Sequence, residues 1–112
     1  MKNIVTEISQ QVTDQENYFL SIVIGEAQIG YSSFRDFEGK YISGNIVLHP
    51  IGKGENIRGK KLIITSMVTD VNPNTNLTSI TYRLNDANID TVSETVESNN
   101  SSIFYTTYLS FI

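Results

Sequence analysis

The chain contains no cysteine, which removes disulfides, thiolate metal ligands and cysteine nucleophiles together. It has a single histidine, His49. Zinc sites draw on several His or Cys ligands, so zinc is disfavoured. A serine triad would have to use His49 as its base, yet no Gly-x-Ser-x-Gly elbow accompanies it. Long apolar runs are missing too, and nothing approaches the roughly 18 residues that a membrane-spanning helix needs. Near the start, Glu7, Ser9 and Gln10 interrupt the sequence too early for a signal peptide. These absences fit a cytoplasmic protein or one exported by another route. Eight basic and twelve acidic residues leave a net charge of −4. That supplies no field for phosphates and argues against a nucleic-acid partner.

What is present points to strands. The 112 residues suit one domain, 1–112, able to bury roughly two-thirds of its unfolded surface without covalent staples. Runs rich in Ile, Val, Thr, Tyr and Phe are separated at short intervals by turn-forming residues. They predict strands over 18–24, 28–34, 40–48, 60–71, 78–84 and 103–112. Residues 4–12 and 89–97 are read as two more, although Ile89, Val92 and Val96 also fit helical spacing. Alternation is visible at Ile80, Tyr82 and Leu84 against Ser79, Thr81 and Arg83. It recurs at Ile42, Gly44, Ile46 and Leu48 against Tyr41, Ser43, Asn45 and Val47. Such strands have one face in a core and one in water. Turns are expected at 36–39 with Gly39, at 72–76 around Pro73, at 85–88 and at 99–102. Residues 49–59, with Pro50 and three glycines, read as the longest irregular segment and a natural place for binding. The fold expected is all-β: a compact antiparallel β-sandwich of seven or eight strands, with a small closed β-barrel as the alternative.

The last segment breaks the pattern. Ile103, Tyr105, Leu109 and Phe111 share one face, while Phe104, Tyr108 and Ile112 make the other apolar as well. A strand apolar on both faces is covered on both sides or meets a partner. An end on Phe111 and Ile112, with no polar tail, suggests docking of those residues.

Candidate chemistry is sparse. Residues 54–61 match a phosphate-binding loop until Lys61, where Ser or Thr should ligate magnesium. A β-branched run follows in place of a helix, so backbone amides would not converge on an anion. The basic residues Lys53, Arg58, Lys60 and Lys61 cluster there, whereas all charges after Arg83 are acidic: Asp86, Asp90, Glu94 and Glu97. That polarity could orient a partner or merely protect a sheet edge. Asp86, Asn88, Asp90 and Glu97 offer oxygens at calcium-loop spacing, but Thr91 stands where the sharp turn needs glycine. No cofactor is implied. The expected function is a non-catalytic protein-binding or assembly module, joining a protein partner or a second copy of itself. Its candidate interface comprises Phe104, Tyr108, Ile112, Lys53, Arg58, Lys60 and Lys61. A domain that binds calcium or a small anion at its turns is the alternative. An enzyme with a carboxylate pair assembled by the fold comes third.

Overall fold

Period-two patterning becomes burial along the central strands. In the computed structural model, which describes residues 2–25, 28–71, 73–97 and 100–112, Thr78, Ile80, Tyr82 and Leu84 turn inward together. So do Leu62, Ile64, Ser66 and Val68, and likewise Ile103, Tyr105, Thr107, Leu109 and Phe111. The described residues form β1 (Lys2–Gln10), β2 (Asn17–Ile24), β3 (Gln28–Arg35), β4 (Tyr41–Gly44) and β5 (Ile46–Lys53). A single helical turn α1 (Gly54–Ile57) follows, then β6 (Lys61–Asp70), β7 (Leu77–Leu84), β8 (Ala87–Thr95) and β9 (Ser102–Phe111). A five-stranded sheet, ordered β1-β9-β6-β3-β4, faces a four-stranded sheet, ordered β5-β2-β7-β8. The architecture is a β-sandwich and not a closed barrel. All pairings are antiparallel except β1 with β9, which run parallel over nine registered positions.

Nine strands replace the expected seven or eight because residues 40–48 are two strands in different sheets. Gly44, at φ +112°, and Asn45 form the crossing. The backbone angle at Gly44 is one that a side chain would strain. Alternation runs through this crossing undisturbed, since Ile42 and Ile46 both face the core from opposite sides. It then fails at Leu48. A bulge opposite Ser21 shifts the phase of β5, leaving Leu48 at positive φ and exposed while Ile51 is buried. Residues 49–59 are likewise not a loop. Residues 49–53 continue β5, where Pro50 is tolerated because the strand lies at a sheet edge. His49 therefore sits within a strand.

The turn after β3 forms as expected. Asp36 accepts hydrogen bonds from the backbone of Glu38 and Lys40, and Gly39 adopts φ +83°. Asn85 occupies the β7–β8 turn at φ +56°. Of the other expected turn residues, Asn72 and Asn99 lie outside the described residues.

Two hydroxyl bridges cross the core in opposite senses. Tyr82, from the four-stranded sheet, meets Thr107 at 2.6 Å. Tyr105, from the five-stranded sheet, meets Thr78 at 2.5 Å. Thr78 donates its only proton to the Glu94 carbonyl, so Tyr105 is the donor in its bridge. Burial pushes both phenols up, Tyr82 to about 12. Since the folded pKa of Tyr82 is raised, the stability it contributes is complete below pH 10 and is lost as pH climbs towards 12. We therefore expect alkaline unfolding in that window. In an ultraviolet titration, Tyr82 and Tyr105 should ionise only as circular dichroism is lost. Ionisation of these two while the sheets remain intact would refute the buried bridges.

Candidate interaction face

The two sheets differ in what their central strands turn to solvent. Outward from the four-stranded sheet, β7 presents Leu77, Ser79, Thr81 and Arg83, and β2 presents Phe19 and Val23. Outward from the five-stranded sheet come Phe104, Thr106 and Tyr108 on β9, Ile63, Thr65 and Met67 on β6, and Ile29 and Tyr31 on β3, with Ser33 on the same face but buried. Register aligns these side chains into rows across the strands. Phe104, Met67 and Tyr31 make one bulky row. Tyr108 and Ile63 make a second, flanked by Glu7 of β1. Between them runs a row of smaller side chains: Val5, Thr106, Thr65, Ser33 and Ser43. The face is thus a shallow trough between two apolar ridges. Phe104 is 41% exposed, Ile63 52% and Ile29 60%, so no other part of the described chain covers it.

The hydroxyls on this face bond to neighbours within it. Ser33 and Thr65 meet at 2.8 Å, Thr69 and Ser102 at 2.5 Å, and Thr106 donates to Asn3 at 3.2 Å. Covering an unsatisfied polar group costs about 1–3 kcal/mol, whereas a group already bonded within the protein escapes most of that cost. A partner could therefore dry this surface cheaply.

Of the interface residues read from sequence, Phe104 and Tyr108 lie on these ridges. Lys61 joins them, with its ammonium 5.6 Å from the centre of the Tyr108 ring. Ile112 is exposed just past the end of β9, its backbone bonded to Gln10 and Val12. The other basic residues disperse. Lys60 lies over the Phe37 ring, and Lys53 ends β5 opposite Asn17 in the other sheet. Arg58 pairs with Asp14 and also donates to the Val12 carbonyl, which holds α1 against the β1–β2 connection. The glycine-flanked stretch opens β6 and no long helix.

The calcium candidates are drawn out along the chain. Asp86 is in the β7–β8 turn, Asn88 and Asp90 are in β8, and Glu97 lies beyond its end. Alternate residues of a strand stand about 6–7 Å apart, whereas calcium ligands must all approach within about 2.6 Å of one ion. Among the described residues no three His, Cys, Asp or Glu side chains converge as a metal site requires. Glu94 is held below the usual carboxylate range, first by the Thr95 amide and then by Lys2, 3.5 Å away. His49 lies 3.3 Å from Asp36 and edge-on to Phe34. The Lys40 amide above all, with His49 assisting, lowers the Asp36 pKa. This pair ties the β3–β4 turn to β5.

Ile63, Met67, Ile29 and Tyr31 were not singled out from sequence. A signal existed in the consecutive Leu62, Ile63 and Ile64, which load both faces of β6. No protein-family model matches the chain, and no curated protein shows significant similarity to it.

Proposed function

We propose that this domain is a non-catalytic protein-binding module that docks its partner on the outer face of the five-stranded sheet. One observation carries the proposal: bulky apolar side chains project outward from three adjacent central strands, in rows, on a surface whose hydroxyls already bond to one another. Contiguous exposed apolar patches mark interaction sites more often than scattered single residues do. A ligand site at the turns finds less support, because its candidate oxygens lie along an extended strand.

The test is the pair Phe104→Ser and Ile63→Ser. Both residues are half-exposed, so the folded chain should lose little stability, within about 1 kcal/mol. Each ring or branched side chain buried by a partner contributes on the order of 1.5–3 kcal/mol. Capture of a partner by the immobilised protein should therefore fall by roughly tenfold or more per substitution. Unchanged capture, or a melting loss as large as that of a core substitution, would count against the docking face.

A further inference from the structure

We infer that the occupant of this face is a second copy of the same chain, related by a two-fold axis that runs along the strands between β9 and β6. This rests on the docking face proposed above and adds what docks there. Such an axis lays β9 of one copy over β6 of the other, and β1 over β3. Tyr108 then faces Ile63 and Phe104 faces Met67, each contact occurring twice, as an isologous interface demands. The hydroxyl row meets itself, Thr106 over Thr65.

Charge selects this axis over its neighbours. Glu7 borders Tyr108 on β1. Arg35 stands two residues beyond Ser33 on β3, and continuing the β3–β6 register sets it level with Ile63. The axis between β9 and β6 brings Glu7 of each copy over Arg35 of the other, making two opposite-charge contacts at the rim. Neither residue is in an ion pair among the described residues. Arg35 donates one bond to the Gly39 carbonyl and keeps further guanidinium donors. Moving the axis onto β6 would place Arg35 over Tyr108 and Glu7 over Tyr41, and both charge contacts would be lost. Lys61 faces Ser110 of the other copy, with its ammonium turned towards its own Tyr108 ring.

Size is compatible with a modest dimer. Four strands overlap about this axis, β1, β9, β6 and β3; spaced about 4.8 Å apart, each with about eight residues rising about 3.3 Å, they give a face of roughly 500 Å² in projection. That is smaller than the ~800 Å² per partner of a standard interface and suits a weak, concentration-dependent dimer. Twisted sheets packed in this way cross at about −30°, a rotation that displaces the rim contacts by about 5 Å, a distance that the long Glu7 and Arg35 side chains span.

Sedimentation equilibrium of the full chain over a wide concentration range tests the inference. The wild type should pass from monomer to dimer as concentration rises, and salt should weaken the dimer through its rim charges. Glu7→Arg and Arg35→Glu should each weaken dimerisation by about tenfold, and the double swap should restore most of the loss. Melting temperatures of all variants, recorded alongside, confirm that they fold. A wild type that stays monomeric throughout, or a swap that restores nothing, overturns the two-copy inference. The docking face would fall by a different result, namely partner capture indifferent to Phe104→Ser.

Discussion

Phe111→Ala should destabilise the domain by about 3–5 kcal/mol, the range for truncating a fully buried aromatic. The ring has no solvent exposure and packs edge-on against Phe37, with centroids 6.1 Å apart. Its backbone is equally engaged. The amide donates to the Lys60 carbonyl, and its own carbonyl accepts from Gly59. Phe111 therefore joins the end of β9 to the entry of β6 and to the turn after β3. Since domains of this size are stable by only about 5–15 kcal/mol, a marginal protein could unfold outright. Urea titration followed by circular dichroism reads the change in midpoint. A loss below about 1 kcal/mol would mean that the inner face of β9 is wrongly assigned.

Gly54→Ala poses two effects against each other. Alanine favours helix over glycine by about 0.8–1 kcal/mol, so propensity alone predicts a gain in α1. Packing predicts the reverse, because a Cβ at Gly54 would stand 2.0 Å from the Thr13 carbonyl oxygen and 2.6 Å from its carbon. Those atoms are backbone and cannot rotate aside. They belong to the segment that α1 grips, where Gly54 donates to Glu16 and Glu55 donates to Asp14. Relieving the overlap means lifting α1 from β1–β2 and exposing Ile57, now almost fully buried. Overpacking costs about 1–3 kcal/mol and occasionally more, so the clash outweighs the propensity. The melting temperature should fall by several degrees. A rise would show that the approach of α1 to Thr13 is looser than described.

Strand positions were legible because side chains alternate with period two whether a strand is central or marginal. Ile80, Tyr82 and Leu84 declare their burial without reference to any neighbour. The pairing of strands was not legible. Alternation reads the same in parallel and antiparallel neighbours, so nothing in residues 2–10 marks β1 as a parallel companion of β9. The crossing at Gly44 and Asn45 kept the phase and so hid the change of sheet. The four residues of α1 are too few to show a helical period. The interaction face was half visible for the same reason. Phe104 and Tyr108 stood out because one strand carried apolar side chains on both faces. Ile63 left a trace in the run Leu62, Ile63 and Ile64, but its companions Met67 and Tyr31 emerge only once β9, β6 and β3 are known to lie side by side.

The parallel union of β1 and β9 has a mechanical consequence. Lys2 is level with Ile103, and Gln10 with Phe111. A pull applied between Lys2 and Phe111 therefore drags the two strands past each other along their length. The hydrogen bonds between them share that load simultaneously, as fibres do in a lap joint. An antiparallel hairpin pulled from its open end gives way one bond at a time. The domain is thus built to resist tension along the strand axis far better than peeling across it, and its rupture under load is governed by the unfolding barrier and not by equilibrium stability.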